Sequence, residues 1–223
     1  MGLIEYSTGI TPVVYSTDDA YSLVQGTRDG ATYTADWILA RCKEGRVFIG
    51  NLGTATGPAT FGAGAIDTTE FDYFISVPAG TTVIPLEISV TMEVWGTAAL
   101  FEYMAVYGTG GVTGAGSSIT PLNMRRGAPI TSNCTVTGAA ASGGTAITGV
   151  EFWRGGYMMT NTPTTANNKT GAGQETSFKW SINDSGYSPI IVGAGQLGIF
   201  MSVEAGAGFI TVVWVEVPST RIV

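Results

Sequence analysis

Histidine is absent from the 223 residues of this chain. Because histidine is the usual general base, its absence excludes Ser-His-Asp and Cys-His catalytic sites. The two cysteines, Cys42 and Cys134, are too few to hold zinc, copper or non-haem iron without histidine. They also form no disulfide framework, and we expect both to be reduced, small, buried residues. The sequence therefore predicts a protein with no histidine-dependent active site and no cofactor.

Charged residues are scarce as well. They make up 12% of the chain, whereas a typical soluble domain has roughly 25%. Glycine, by contrast, accounts for 32 residues. Because charge is depleted in the cores of protein interfaces, this composition favours a surface that packs against neighbouring subunits over a robust monomer.

Positive charge is scarcer than negative charge, and the formal net charge is −7. The ten basic residues are scattered along the sequence, with Arg125-Arg126 as the adjacent pair. Binding to nucleic acid through its phosphates requires clustered basic residues. We therefore expect no nucleic-acid partner.

Signals for export or membrane insertion are not visible either. Residues 1–10 have neither the basic nor the apolar region of a signal peptide. No stretch approaches the roughly 18 apolar residues of a transmembrane helix. We expect synthesis in a cytoplasm and no membrane partner.

What the sequence does contain is alternation with a period of two. Within residues 76–95, apolar side chains alternate with polar ones that include Glu87 and Glu93, which indicates a long strand. We expect residues 99–108 to form its hairpin partner across Gly96-Thr97. Further strands are predicted at residues 33–39, 47–49, 70–77, 133–138, 149–158, 175–182, 189–193, 196–204 and 208–217.

Successive strands of this kind, separated by turn signals, are typical of an antiparallel β-sandwich. A short helix over residues 36–43 is the alternative to the strand predicted there. Residues 51–69 and 108–148, rich in Gly, Thr and Ala, are predicted as long loops inside one domain, residues 21–223. Residues 1–20 are predicted to be an extended arm that adds as a strand to a neighbouring subunit.

Carboxylate side chains are the remaining candidates for an active site without histidine. Glycosidases need two acids about 5–10 Å apart across a cleft. Glu87 and Glu93 are six residues apart on one strand, which places them roughly 20 Å apart at about 3.3 Å per residue. Glu102, on the next predicted strand, is the candidate that opposes them. The simpler interpretation is that each carboxylate keeps an outer sheet face polar, and we expect no catalytic residue.

Calcium is the metal that this composition leaves open. Asp18-Asp19, or Asp67 with Glu70 and Asp72, supply oxygen ligands in loops. The D-x-[DN]-x-[DN]-G spacing of a calcium-binding loop is absent. We therefore expect these residues to form turns, and we expect no metal site.

Aromatic residues suggest a binding surface. Trp153 lies in the segment EFWRGGY, beside Arg154 and Tyr157, on a predicted hairpin. Trp95 follows the long strand. We take these four residues as candidate contacts for a ligand or another subunit, with a sugar-stacking platform as one alternative and core packing as the other.

Two segments, VPAGTTVIPLEISVTMEVWGTAALFEY and SPIIVGAGQLGIFMSVEAGAGFITVVWVEVP, resemble the long paired strands of viral jelly-roll virion proteins, particularly those of bacteriophages. The resemblance covers roughly residues 70–107 and 149–218. It lies in a V-P-x-G corner before a long strand, a closing strand that ends in W-x-E-x-P, and loops rich in Thr, Gly and Ala. It implies a jelly-roll sandwich and carries no catalytic residues.

The predicted function is accordingly that of a non-enzymatic virion structural protein. Such a protein is a capsid subunit or a decoration protein on a capsid, located in the virion. Its partners are copies of itself, with a trimer as the expected oligomer, and other capsid proteins. The alternatives are a carbohydrate-binding or receptor-binding module of tail or fibre type and, less favoured, a carboxylate glycosidase.

Overall fold

A computed structural model describes residues 36–62, 65–95, 100–140, 143–158, 176–202 and 206–221. The chain divides into two units, residues 1–40 and 41–223, and residues 36–40 are the described part of the first. The arm predicted over residues 1–20 lies outside the described residues, as does the domain boundary predicted at its end.

Strands dominate the described residues, with two short helices and one 3-10 turn. In chain order the elements are α1 (Trp37–Lys43), β1 (Val47–Leu52), β2 (Ala59–Thr60), β3 (Tyr73–Val77), β4 (Thr81–Val94), β5 (Leu100–Thr109), β6 (Ser117–Ile119), β7 (Leu122–Asn123), β8 (Thr135–Gly138), β9 (Thr148–Met158), β10 (Ser177–Ser181), α2 (Ile182–Ser185), β11 (Ile191–Val192), β12 (Gly195–Ser202), β13 (Ala207–Pro218) and the 3-10 turn Ser219–Arg221.

The strands form two antiparallel sheets. The first has the order β10-β4-β13-β1-β7, with β11 also paired to β4 and β2 to β13. The second has the order β6-β8-β3-β12-β5-β9. Buried side chains from both sheets join one hydrophobic core, which includes Trp214 of the first sheet and Tyr73 of the second. The predicted all-β antiparallel sandwich is therefore confirmed.

Strand β4 follows the predicted alternation. Ile88, Val90 and Met92 are buried, whereas Thr91 and Glu93 are exposed. The alternation arises because successive side chains of a strand point to opposite faces of its sheet. One face of β4 therefore contributes to the core and the other faces away from it, as the sequence predicts.

The predicted hairpin between this strand and residues 99–108 is wrong. Both sides of β4 are already paired, to β13 on one side and to β10 and β11 on the other. Strand β5 instead lies in the second sheet, between β12 and β9. The chain therefore changes sheets between β4 and β5, because no edge of β4 is left for a hairpin.

The alternative prediction, a helix, is correct for residues 37–43. Asp36 caps helix α1, because its Oδ1 accepts hydrogen bonds from the backbone N–H groups of Ile38 and Leu39, at 2.8 and 3.3 Å. Gly45, with a φ of 70°, follows the helix in the left-handed conformation that glycine adopts without strain. The strand predicted at residues 33–39 therefore fails in its described part.

Strand β13 is buried unevenly along its length. Its inner face is buried, whereas Phe209, Thr211 and Val213 on the other face are only half-buried. Both faces are buried from Trp214 to Val217, and Glu216 within this stretch is 4% exposed.

The two predicted long loops contain short strands. Residues 51–69 include the end of β1 and the whole of β2, and residues 108–148 include β6, β7 and β8. Strand β8 extends the second sheet from β3, and β6 adds to β8 at its edge. Because these strands are two to four residues long, they carry too few alternating positions for the sequence to mark β2, β6 and β7.

Candidate functional site

The four aromatic and basic residues predicted as contacts lie along β9 and the end of β4. Trp95 is 4% exposed and packs against Phe101 and Phe178, with ring centroids 5.3 and 6.2 Å away. Trp153 is half-buried, with its ring centroid 4.5 Å from that of Tyr103. Burial removes Trp95 from the surface of this chain, and Tyr103 covers part of Trp153.

Arg154 is held by carboxylates of its own chain. Its Nε and Nη2 donate to the two carboxylate oxygens of Glu151, each at 2.8 Å, and its Nη1 lies 3.8 Å from Glu102. The hydrogen bond from Arg154 lowers the pKa of Glu151. The guanidinium is thus neutralised by two acids, whereas Tyr157 is half-buried beside Trp95, at 6.3 Å between ring centroids.

The carboxylates considered for glycoside hydrolysis do not face one another. Glu87 pairs with Lys179 on β10, at 3.0 Å. Glu102 lies in the other sheet, with Ser202 and Gly156 as its register partners. The expectation that Glu102 opposes Glu87 and Glu93 is therefore wrong, because it assumed the hairpin that does not form.

Asp67 and Asp72 accept hydrogen bonds from different groups. Asp67 closes a turn by accepting from the backbone N–H and the hydroxyl of Thr69, and these bonds lower its pKa. Asp72 is buried. Within the described ranges, no group of three or more His, Cys, Asp or Glu side chains is arranged to hold a metal ion.

Asp72 joins three segments of the fold. Its carboxylate accepts from the backbone N–H of Gly62 at 2.8 Å and from that of Met201 at 2.6 Å, while its backbone carbonyl accepts from Ala139. Burial raises the pKa of Asp72 to about 7, the two N–H donors oppose that rise, and the charge of Glu70 adds to it. The carboxylate fixes the strand ends that surround it.

A groove of about 820 Å³ opens beside those strand ends. We call it the hydroxyl groove. Its apolar lining includes Leu52, Phe61, Ile119 and Ala140, all buried. Its polar lining is dominated by the hydroxyls of Thr54, Thr60, Ser117, Ser118 and Thr120, with the carboxylate of Glu70. The groove contains no basic residue, so its described lining suits a neutral ligand rather than an anion.

Basic side chains gather at another place, although they are scattered along the sequence. Five of the eight basic residues in the described ranges belong to two segments, residues 41–46 and 122–130. Arg125 donates from Nη1 to the carbonyl of Lys43 at 2.7 Å, which joins the segments directly. We call these two segments together the basic face.

Asn123 organises the basic face. Its Nδ2 donates to the carbonyls of Gly45 and Ile130, at 2.8 and 2.9 Å, and its Oδ1 accepts from the backbone N–H of Arg125 at 2.9 Å. Both ends of the 122–130 loop are thereby tied to the turn after α1. The sequence did not reveal this face because about eighty residues separate the two segments, and the sole local signal was the pair Arg125-Arg126.

No protein-family model, curated protein or solved structure matches this chain. Neither helix in the described residues is long and apolar enough to cross a membrane. The strand connectivity, the hydroxyl groove and the basic face are therefore the features of the molecule that bear on its function.

Proposed function

We propose that this protein is a structural subunit of a virus particle, a capsid or capsid-decoration protein that works by self-assembly. The observation that carries the proposal is the nested pairing of eight strands. Strand β1 pairs with β13, β3 with β12, β4 with β10, and β5 with β9. The first of the eight strands thus lies beside the last, the second beside the seventh, and so on inward.

This nesting supports a jelly roll as the topology of the sandwich. The eight strands fall into the orders β1-β13-β4-β10 and β3-β12-β5-β9, one in each sheet. The chain changes sheets at every step between consecutive members of the eight, except from β5 to β9. Two interleaved Greek keys of this kind build the jelly rolls of many viral capsid proteins, and also those of lectin domains and cupins.

The surface supports assembly. Large apolar side chains in the described residues are exposed at positions that include Val112, Val150, Tyr187, Ile190 and Val192. Exposed apolar surface on a protein with few charges favours contact with other protein surfaces.

Native mass tests the proposal. We expect light scattering and sedimentation velocity over a wide range of concentrations to show a trimer or a larger closed assembly, and negative-stain images to show particles of uniform size. A monomer at every concentration, with no particles, would contradict self-assembly. Circular dichroism of the same samples distinguishes a folded monomer from a misfolded preparation.

The hydroxyl groove favours a second candidate, a carbohydrate-binding module. Its volume lies within the range of about 300–1,000 Å³ that is usual for small-ligand pockets, and hydroxyls are suitable partners for sugar hydroxyls. A glycan array tests this candidate. Binding abolished by Ser118→Tyr, which fills the groove, and unchanged by Trp153→Ala would support it, whereas an array with no bound glycan would contradict it.

A further inference from the structure

We propose that strand β9 pairs antiparallel with β9 of a second copy of this chain, about a two-fold axis between Phe152 and Trp153. The second sheet then continues from one copy into the other. The inference rests on the proposed self-assembly and assigns a contact surface to it. Its first support is the length of an edge strand. Among the four strands that end the two sheets in the described residues, β9 has 11 residues, whereas β10, β6 and β7 have five, three and two.

One edge of β9 is open among the described residues. The register partners of β9 all belong to β5, and no backbone hydrogen bond links β9 to any other described segment. Native sheets protect their edges with very short strands, with lysine or proline, or with bulges, and β9 is long and contains neither lysine nor proline. Such an edge is suited to pairing with a strand of another chain.

The register with β5 shows which backbone groups of β9 face outward. Glu102 on β5 turns its backbone N–H away from β9, because this group donates to Ser202 Oγ on β12 at 2.8 Å. Directions alternate along a strand, and the register of β5 with β12 is unbroken, so every even-numbered residue from 102 to 108 faces β12. Their register partners on β9 therefore point their N–H and C=O groups away from β5. These outward residues are Gly149, Glu151, Arg154 and Gly156.

A bulge makes these outward positions self-complementary. Phe152 is an extra residue of β9, because the register with β5 shifts there by one position. The outward residues are therefore odd-numbered before Phe152 and even-numbered after it. A two-fold axis between Phe152 and Trp153 pairs each odd position of one copy with an even position of the other, so outward groups meet outward groups. A bulge often protects an edge, but at this axis it sets the register.

Opposite charges meet in this register. Glu151 of each copy lies opposite Arg154 of the other, because a two-fold contact repeats every pair. Within one chain, Arg154 already binds Glu151 at 2.8 Å, and the two side chains remain 45% and 39% exposed. The contact therefore requires no unpaired charge, since it joins two existing ion pairs into a ring of four charges with alternating signs. Opposite charges directly across two strands stabilise the pairing, whereas like charges destabilise it.

Apolar surface beside the edge adds to the contact. Phe152, Trp153 and Tyr157 are half-buried in their own chain, and Val150 is 55% exposed. A strand added at about 4.8 Å places its own side chains next to them. A strand of a different protein is the competing occupant, but only a second copy supplies the same bulge and the mirrored charges. The contact thus assigns Trp153, Arg154 and Tyr157 to an interface between subunits.

Charge exchange at the two-fold pair tests the contact in the full chain. Arg154→Glu places acid opposite acid across the axis, and Glu151→Arg places base opposite base. We expect each variant to raise the dissociation constant of the assembly, measured by sedimentation velocity, at least about tenfold. An equimolar mixture of the two variants restores opposite charges across the axis, although each chain still lacks its own ion pair. We expect the mixture to assemble nearly as well as wild type.

The matched control is Arg126→Glu, which makes the same change of charge at an exposed position. Arg126 lies in the loop after β7, at the opposite end of the first sheet from β10, and β10 is the strand next to β9, with the rings of Phe152 and Trp180 5.2 Å apart. We expect this control to assemble as wild type does, and circular dichroism checks that every variant is folded. An equal loss of assembly in the control would show that net charge, and not this edge, governs assembly.

The outcomes separate the contact from the proposed function. Equal assembly by wild type and by both charge variants would overturn the contact while leaving the proposed function standing. Weak assembly by both variants without recovery in the mixture would also overturn it, because the effect would then arise within one chain. Wild type that is monomeric at every concentration would contradict both.

Amide hydrogen exchange tests the backbone pairing without a substitution. The outward N–H groups of Glu151, Arg154 and Gly156 have no partner among the described residues of one chain, whereas those of Trp153 and Gly155 face β5. We expect assembly to protect the outward amides, while the inward amides are protected in dilute and assembled protein alike. Outward amides that stay unprotected in the assembly, or that are already protected in dilute monomer, would overturn the contact.

Discussion

The hydroxyl oxygen of Tyr73, on β3, lies too close to the position that a Cβ atom would take at Gly50, on β1 of the facing sheet, for both atoms to fit. Tyr73 is fully buried, and its hydroxyl has no hydrogen-bond partner in the described residues. A buried hydroxyl without a partner costs free energy relative to a hydrated one. Glycine at position 50 is therefore what allows the two sheets to approach around this side chain.

Tyr73→Phe is expected to stabilise the protein by about 1 kcal/mol, because it removes an unpaired buried hydroxyl and leaves the ring. Gly50→Ala is expected to destabilise it by about 1–3 kcal/mol through overpacking, and by less in the Tyr73→Phe background. Urea unfolding of the two single variants and the double variant measures both effects. Additive changes would show that the two residues are not coupled.

Glu216 connects β13 to the segment before β8. Its carboxylate accepts from Trp214 Nε1 at 2.8 Å, from the backbone N–H of Asn133 at 2.9 Å and from the hydroxyl of Ser132. Glu216→Ala leaves these three donors unpaired, and we expect it to lower the free energy of unfolding by about 3 kcal/mol or more. Glu216→Gln, which keeps the size and one acceptor oxygen, is expected to cost less.

Urea denaturation followed by tryptophan fluorescence measures the effect of both Glu216 variants. Glu93→Gln is the control, since Glu93 is exposed and its loss is expected to change stability by less than about 0.5 kcal/mol. If Glu216→Ala unfolds at the same urea concentration as this control, the three hydrogen bonds that Glu216 accepts do not contribute to stability.

Asp72 is expected to make stability depend on pH. Its folded-state pKa of about 7 lies above the ordinary value of 3.8, so folding favours the uncharged form. The stability that this provides is fully present below about pH 4 and is lost as the pH rises to about 7. Asparagine does not titrate, so Asp72→Asn does not lose this stability. The free energy of unfolding of Asp72→Asn minus that of wild type should therefore rise by up to about 4 kcal/mol from about pH 4 to about pH 7, at 1.36 kcal/mol per pKa unit.

Urea unfolding of wild type and Asp72→Asn at a series of pH values measures this difference. The NMR chemical shift of the Asp72 carboxyl carbon, followed with pH, reports its pKa directly. Glu70→Gln should lower that pKa, because it removes the neighbouring charge. A constant difference in stability between wild type and Asp72→Asn at all pH values would contradict the assignment.

Trp95 is expected to behave as a core residue. Its ring packs against Phe101, Phe178 and Tyr157, and Trp95→Ala should cost about 3–5 kcal/mol because it leaves a cavity. Trp153→Ala, at a half-buried position, should cost less. Thermal unfolding measures the stability of both variants. A loss of stability in Trp153→Ala that equals or exceeds the loss in Trp95→Ala would contradict the prediction.

The two cysteines are expected to react at different rates. Both are free, with Cys42 half-buried and Cys134 buried. Burial raises the pKa of each thiol, and Glu216 raises that of Cys134 further. A disulfide reagent should label Cys42 in the folded protein and Cys134 only on unfolding. Cys42→Ser should abolish the faster phase, and two equally fast phases would contradict the prediction.

The sequence by itself determined where the long strands lie, but it did not mark the short strands β2, β6 and β7. In β4 apolar residues alternate with polar ones from Leu86 to Glu93, and the pleat of a strand converts that pattern directly into an inner and an outer face. The absence of histidine and the scarcity of charge likewise needed no structure to exclude whole classes of active site.

Tertiary structure alone decided which strands pair and which distant residues meet. Strand β5 does not return along β4, because β13 and β10 already occupy both sides of β4. Arg125 reaches Lys43 and Glu216 reaches Asn133 across about eighty residues of sequence, so no local pattern marks either contact. Alternation is a local property of the backbone, whereas strand pairing depends on which edges the rest of the chain has left open.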